Sequence, residues 1–156
     1  MESLRKAGGE FGAATGRPRR VGPFDCVASR YGLACQGADK IALTKLDVLS
    51  GMKEIPVITG YTLDGKPVTA FDPTDDLDRM EPVVTMLPGW NCDISHCTLY
   101  NELPDEAKSY IEFLEKLGKL GLRHLQFFPG TFYALPKFCF VNRISVHVIC
   151  TLFPIR

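Results

Sequence analysis

The stretch GAATGRPRR, residues 12–20, places three arginines and a proline directly after a run of small residues. The small side chains let backbone N–H groups approach a ligand, and Thr15 adds a hydroxyl donor. Pro18 fixes φ between Arg17 and Arg19, and in an extended chain side chains at i and i+2 share a face. Because guanidinium groups suit bidentate capture of carboxylate or phosphate, the spacing predicts an anion-binding loop. A solvated basic turn, or a patch for an acidic partner, is the alternative.

The tetrapeptide TKLD, residues 44–47, is a second candidate for ligand binding. It ends the short apolar run KIALT, which predicts a buried strand, and ligand sites in α/β folds favour loops at the carboxyl ends of strands. The Asp47 carboxylate can accept from N1–H and the exocyclic amine of guanine, while the aliphatic stem of Lys45 can lie over the purine. The tetrapeptide is too short to exclude a chance match, so guanine binding stays one alternative here.

Composition limits the remaining classes. The chain has 156 residues, enough for one domain with a core, and its 46% hydrophobic and 23% charged residues are ordinary for a globular protein. Its 18 basic and 18 acidic side chains give no net charge, and hence no long-range field to hold nucleic acid or an anionic membrane. No run of 18 uncharged apolar residues occurs, so no transmembrane helix is predicted.

The cysteines indicate a reducing compartment rather than a disulfide framework. They are scattered along the sequence: Cys26, Cys35, Cys92, Cys97, Cys139 and Cys150. With no signal peptide, they are expected to be reduced thiols of a cytoplasmic protein. Cys92, His96 and Cys97 are close enough to suggest zinc, but a second pair is lacking, so solvent or core thiols are favoured. The acidic stretch FDPTDDLDRM lacks the glycine and terminal glutamate of a calcium loop, so a solvated surface loop is expected.

Local patterns place the candidate sites on an α/β framework. Residues 25–36 have helical spacing, with Asp25 as the N-cap and Gly37 as the C′ residue. The dipeptide Asp64-Gly65, between two β-rich runs, predicts a hairpin, and PVVTMLPGW predicts one more strand. KLDVLSG is expected to follow the KIALT strand as a loop or helical turn.

Residues 104–117 form the clearest predicted helix, with Pro104 at its N1 position. Its apolar face consists of Ala107, Tyr110, Ile111, Leu114 and Leu117. Residues 2–16 are expected to be an exposed segment that turns into a glycine-rich loop. The order helix, strand, hairpin, strand, helix indicates the α/β class with a mixed sheet.

The sequence changes character after Gly118, where aromatic and β-branched residues dominate and acidic charge is scarce. This tail, residues 119–156, can contribute strands, for example at 144–152. It can equally be non-native translation, such as a frameshift or a retained intron. The boundary predicts a partial domain over residues 1–118 and a divergent hydrophobic tail over 119–156.

Five stretches carry a family resemblance: GGEFGAATGRPRRVGPFD, ALTKLDVLSGMKEI, YTLDGK, LPGWNCDIS and ELPDEAKSYIEFLEKLG. In this order and spacing, over residues 2–118, they resemble the C-terminal part of adenylosuccinate synthetase, closest to its eukaryotic form. The resemblance implies a fragment of that P-loop-NTPase-like α/β fold, with a mixed sheet, flanking helices and a β-hairpin. The family is a homodimeric ligase of purine biosynthesis. It joins IMP to aspartate with GTP and magnesium, through 6-phosphoryl-IMP.

The resemblance carries onto particular residues. The matching aspartate-binding loop consists of Ala13, Ala14, Thr15, Gly16, Arg17, Pro18 and Arg19. Arg17 also matches a position that reaches IMP, and Arg19 one that contacts GTP. Lys45, Leu46 and Asp47 match the guanine-reading segment, so the resemblance favours guanine binding over a chance match. Fixed guanidinium donors suit a dicarboxylate, phosphates and a charged transition state.

Departures from the family pattern are equally specific. Ala14 stands where a second threonine is usual, and losing that hydroxyl donor is expected to cost ~0.5–1.5 kcal/mol. Pro23 replaces a position that is usually aromatic. No GDEGKGK-like phosphate loop occurs, and His96, His124 and His147 lie outside the matching motifs. The family's general base, general acid and most IMP contacts belong to its N-terminal half, so no catalytic residue and no metal ligand is expected in this chain.

Three interpretations of the chain follow. It is a truncated synthetase that is inactive alone, because no base or phosphate cradle is present. Alternatively, it is a non-catalytic nucleotide-binding or interaction fragment that pairs with a separate chain. The third interpretation is a product of mis-splicing or of a wrongly assigned reading frame that does not fold stably, since half a domain leaves core faces uncovered.

Overall fold

The longest strand organises the fold. The computed structural model describes residues 2–37, 41–43, 45–68, 71–72, 77–118 and 146–147. Its helices are α1 (Glu2–Ala7), α2 (Cys26–Gln36) and α3 (Asp105–Gly118), with 3₁₀ turns at Leu46–Leu49, Leu77–Arg79 and Tyr100–Glu102. Its strands are β1 (Phe24–Asp25), β2 (Ile41–Ala42), β3 (Glu54–Leu63), β4 (Lys66–Pro67), β5 (Met80–Pro88) and β6 (Val146–His147).

Strand β3 pairs with three others and makes the sheet mixed. It is parallel to β1 and antiparallel to both β4 and β5. The β5 pairing runs from Glu54 opposite Pro88 to Leu63 opposite Met80, with a bulge between Ile58 and Gly60. β2 and β6 form a separate parallel pair. The predicted α/β class with a mixed sheet is therefore confirmed, as are the hairpin at Asp64-Gly65 and the strand in PVVTMLPGW.

Helix α2 has the predicted ends. Asp25 Oδ1 accepts from the backbone N–H groups of Val27 and Ala28, both at 2.9 Å, and Gly37 ends the helix in the left-handed conformation. The other carboxylate oxygen of Asp25 accepts from the Tyr61 hydroxyl on β3. Burial raises the pKa of Tyr61, and the bond to Asp25 raises it further, so Tyr61 stays a donor. One aspartate thus caps the helix and fixes it to the sheet.

The main core lies between β3, α2 and α3. It contains Phe24, Leu33, Val57, Trp90 and Leu114, all buried. Four of the five predicted α3 core positions are buried as expected: Ala107, Tyr110, Ile111 and Leu114. The side chain of Leu117 lies outside the described residues. A second, smaller cluster joins Ile58, Tyr61 and Met80. Alternation along β3, with Val57 in one cluster and Ile58 in the other, gives this strand buried residues on both of its faces.

Other local expectations changed in detail. Residues 2–7, predicted as part of an exposed segment, form helix α1, which buries no side chain. Pro104 precedes α3 by one residue: its carbonyl accepts from Lys108 N–H, which places it at the N-cap rather than at N1. KLDVLSG contains a 3₁₀ turn, as predicted. Of the strand expected at 144–152, Val146–His147 is observed and the rest lies outside the described residues.

None of the helices in the described part of the chain has the length and apolar character that crossing a bilayer requires.

Cysteine reactivity should separate buried from exposed thiols. Cys26 is fully buried, and burial, together with the Asp25 carboxylate, raises the pKa of its thiol from 9.0 to about 11. Because the thiolate is the nucleophile, Cys26 should react with N-ethylmaleimide at pH 8 at least about 100-fold more slowly than a thiol with the ordinary pKa, and more slowly still because it is shielded. Exposed Cys35 is the internal control. Peptide mass spectrometry gives both rates, and equal rates would contradict this packing.

Candidate functional site

The arginine loop is a short hairpin-like turn. Phe11 and Pro18 form an antiparallel bridge at its base, so the chain is extended at Pro18, as the shared-face prediction for the arginines requires. Inside the bridge, Gly12 N–H donates to the Arg17 carbonyl and Gly16 N–H to the Gly12 carbonyl, both at 2.8 Å. Gly16 has φ of 63°, a conformation that a residue with a Cβ adopts at a cost. Backbone hydrogen bonds therefore close the loop.

The side chains of this loop face solvent. Ala13, Ala14 and Thr15 are exposed, and the Thr15 hydroxyl accepts from the Arg17 N–H at 3.4 Å, which leaves its own proton available to a ligand. Within the described part of the chain, the Arg17 guanidinium makes no hydrogen bond or ion pair. A planar guanidinium group on a fixed backbone, with no partner among the described residues, is suited to bind an anion.

Arg19, unlike Arg17, is held by Glu10. Its NH1 donates to Glu10 Oε2 at 3.2 Å, its backbone N–H donates to the Glu10 carbonyl at 2.9 Å, and its own carbonyl accepts from Arg5 Nε at 2.7 Å. The Arg19 side chain is still 45% exposed. One nitrogen of the fork is therefore anchored, while other N–H donors remain accessible.

The TKLD segment lies beside this loop because Glu10 also binds Lys45. Lys45 Nζ donates to Glu10 Oε1 and to the Gly8 carbonyl, both at 2.6 Å, and the backbone of Lys45 is left-handed with φ of 57°. The ammonium group is thus fixed, and the aliphatic stem has a defined direction. Glu10 and Lys45 are 35 residues apart in sequence, so this contact joins segments that only the fold brings together.

Asp47 and Leu46 begin the 3₁₀ turn after Lys45. Leu46 is buried in the core, so only its backbone is open to a ligand. The Asp47 side chain is partly exposed, and its carboxylate has no hydrogen-bond or ion-pair partner among the described residues. The Asp47 carbonyl accepts from Ser50 N–H at 3.0 Å, which closes the turn. Because this backbone is fixed, the Asp47 carboxylate has a defined position from which it can accept hydrogen bonds from a ligand.

The LPGWNCDIS stretch holds this 3₁₀ turn in place through Trp90. Trp90 is buried, its Nε1 donates to Ser50 Oγ at 3.2 Å, and its carbonyl accepts from Gly51 N–H at 2.9 Å. Gly89 N–H donates to the Lys53 carbonyl at 2.9 Å. The end of β5 thereby holds the segment that carries Asp47 against the core.

The combined site is cationic at the arginine loop and carries the Asp47 carboxylate in the 3₁₀ turn after Lys45. Arg19 and Lys45 contact a single buried carboxylate, that of Glu10, while Arg5 donates to the Arg19 carbonyl and Arg17 is exposed. The loop therefore keeps an excess of positive charge for an anionic ligand. Asp47 adds an acceptor for neutral N–H donors. Within the described ranges, no three His, Cys, Asp or Glu side chains are placed to hold a metal ion.

The structure brings together the two predicted stretches, residues 13–19 and 45–47, and adds one residue that the sequence interpretation missed. Glu10 lies inside the GGEFG motif but was assigned no role. The sequence offers a weak signal for it, a lone acidic residue in an otherwise basic stretch. Only the fold shows that it is buried and which cations it contacts.

The fold and site define an α/β chain in which a cationic loop lies beside the turn that carries Asp47. This arrangement suits a ligand that has phosphate or carboxylate groups together with a nucleobase. The sequence profile of the adenylosuccinate synthetase family matches residues 1–126. The chain belongs to the adenylosuccinate synthetase family.

Individual relatives agree with this assignment. The chain is 50% identical over 117 residues to adenylosuccinate synthetase of Pelobacter propionicus and 49% identical to that of Geobacter sulfurreducens, covering 74% of this chain in both cases. The structure of fully ligated adenylosuccinate synthetase from Plasmodium falciparum superposes with a TM-score of 0.73 at 37% identity, over 78% of this chain and 30% of that one. The chain spans 27% of the length of these two curated relatives.

Proposed function

We propose that this chain carries the aspartate-binding loop and the guanine-reading segment of an adenylosuccinate synthetase, a GTP-dependent ligase that joins IMP to aspartate in purine biosynthesis. The observation that carries the proposal is that Glu10 binds one residue of each stretch, Arg19 of residues 13–19 and Lys45 of residues 45–47. Family membership supports it, because the same stretches lie within the matched residues. In this proposal the chain corresponds to the C-terminal part of the family's sequence.

Each residue has a defined binding role in the proposal. Arg17, exposed and with no side-chain partner among the described residues, receives the carboxylates of aspartate and reaches IMP. Arg19 offers its accessible donors to aspartate and GTP. Asp47 accepts from the N1–H and the exocyclic amine of guanine, while the Lys45 stem lies along the purine face. These groups bind and orient the substrates, and positioned charges of this kind also stabilise a transition state in which charge develops.

The chemical step belongs to groups outside this chain. Magnesium supplies charge neutralisation for phosphoryl transfer in general, but among the described residues no cluster fits a metal ion, so no magnesium ligand is assigned here. No general base is assigned either. Homodimer formation and a cytoplasmic location are further parts of the proposal and rest on the family resemblance.

A polypeptide of these 156 residues is expected to bind GDP but to form no adenylosuccinate. Calorimetric titration should show GDP bound at least about 10-fold more tightly than ADP, since adenine offers an acceptor at N1 where guanine offers a donor. Incubation with IMP, GTP, aspartate and magnesium should give no product above a control without protein. Equal affinity for GDP and ADP would contradict the guanine assignment, and product formation would contradict the assignment of catalysis to absent groups.

One observation favours the second interpretation, a fragment that pairs with a separate chain. Val84 and Met86 on β5 are 44% and 50% exposed and, two residues apart, share one face of the strand, which leaves an apolar patch on the sheet. A second arm of the assay therefore adds the remaining part of a family member, such as the enzyme from Geobacter sulfurreducens. Restored turnover would support pairing through this patch, and no interaction at micromolar concentration would count against it.

A further inference from the structure

Glu10 is the only charged residue that is buried among those the structure describes, with 3% exposure. Its backbone is fixed on both sides: its N–H donates to the Arg5 carbonyl at 2.9 Å and its carbonyl accepts from Arg19 N–H at 2.9 Å. The backbone of Glu10 therefore moves together with the arginine loop. A buried carboxylate requires compensating charge, and two cations provide it.

The two carboxylate oxygens are divided between two functional stretches. Oε1 accepts from Lys45 Nζ at 2.6 Å and Oε2 from Arg19 NH1 at 3.2 Å. Apolar packing is often as stabilising as a buried ion pair, so stability alone is a weak reason for a carboxylate at this place. Its geometry does something that apolar packing does not, because it fixes the direction of two cations that belong to separate ligand sites.

We propose that Glu10 is a positioning residue that couples the aspartate loop to the guanine-reading segment. This inference rests on the proposed function, and it adds an energetic link between the two ligands. Glu10 already holds both cations in the free chain, and a dicarboxylate that binds Arg19 further restricts Glu10 and, through it, Lys45. The nucleotide site then loses less of its remaining conformational freedom on binding GDP. The coupling is reciprocal: GDP raises the affinity for aspartate by the same factor.

The test is a calorimetric titration of the 156-residue chain with GDP, with and without saturating L-aspartate. For the unaltered chain, aspartate is expected to tighten GDP binding about 5-fold or more, which lies in the usual range for coupled sites. Glu10→Gln keeps the size and the hydrogen-bonding oxygen but removes the charge. In this variant the coupling factor is expected to fall to about 1, and GDP alone to bind about 10-fold more weakly. Glu81→Gln, an exposed change on β5, is the matched control and should keep the coupling.

The outcomes separate the inference from the function beneath it. GDP binding without coupling in the unaltered chain, or full coupling in Glu10→Gln, overturns the role of Glu10 and leaves the proposed function standing. No GDP binding by the unaltered chain overturns the proposed function itself. A purely structural role would lower the stability of Glu10→Gln and keep the coupling factor. Where Glu10→Gln does not fold, Glu10→Asp replaces it. It keeps the charge but is one methylene too short to reach both cations, so the coupling should again be lost.

Discussion

Replacing Gly89 with alanine is expected to destabilise the protein by about 3 kcal/mol. A Cβ at this position would lie 2.0 Å from the Met52 carbonyl oxygen and 2.8 Å from the Met52 carbonyl carbon. Both atoms are backbone, so no side-chain rotation relieves the overlap. The end of β5 must move away from the segment after the 3₁₀ turn, and the bond from Gly89 N–H to the Lys53 carbonyl is strained or lost. Urea unfolding followed by circular dichroism measures the change.

Gly32 offers a matched control for this prediction. It lies inside α2, and a Cβ there has no heavy atom within 4 Å. Because glycine in a helix interior is less favourable than alanine by roughly 0.8–1.0 kcal/mol, Gly32→Ala should stabilise the protein by about that amount. The same substitution at two positions is thus expected to have opposite signs. Equal midpoints for Gly89→Ala and the unaltered chain would show that β5 and Met52 are not in contact.

The Gly89 result bears on function through the turn that it supports. Trp90 follows Gly89 in the chain. Its carbonyl accepts from Gly51 N–H, and its ring Nε1 donates to Ser50 Oγ. Displacing the end of β5 therefore displaces the segment that carries Asp47. Under conditions where Gly89→Ala is still folded, its affinity for GDP is expected to be lower than that of the unaltered chain.

Replacing Asp47 with asparagine is expected to weaken GDP binding at least about 100-fold, because two donors of guanine then face an amide with only one acceptor group. The same change should favour xanthosine diphosphate. Xanthine has a carbonyl where guanine has its exocyclic amine, so the asparagine NH₂ donates to that carbonyl while its oxygen accepts from N1–H. The Asp47 carboxylate has no partner among the described residues, so the substitution breaks no observed contact. Competition titration with both nucleotides measures the reversal.

Asp78→Asn is the control for this prediction. Asp78 lies in another 3₁₀ turn, Leu77–Arg79, and is exposed. The substitution makes the same change of charge without touching the proposed site, so its preference for GDP over xanthosine diphosphate should be unchanged. If Asp47→Asn also retains that preference, the base is recognised elsewhere and the guanine assignment is wrong.

Much of the framework could be predicted because its determinants are local. The N-cap at Asp25, the Asp64-Gly65 turn and the apolar face of α3 each depend on residues a few positions apart. Helix α1 was not predicted because no apolar periodicity marks it: it buries no side chain, and its described internal ion pair joins two exposed side chains, Lys6 and Glu2. The hydrogen bond from Arg5 to the Arg19 carbonyl joins residues 14 positions apart, so no local pattern predicts it.

The sequence by itself determined the class of the fold, the family and the two stretches that the proposal assigns to aspartate and guanine, since each depends on residue types in a fixed order. The tertiary structure alone decided how these stretches meet. Glu10 and Lys45 are 35 residues apart in the chain, and Gly89 approaches the backbone of Met52. Burial and close approach arise only when distant segments pack together. The sequence pattern therefore identifies the cationic side chains Arg19 and Lys45, and the fold shows that the Glu10 carboxylate binds both of them.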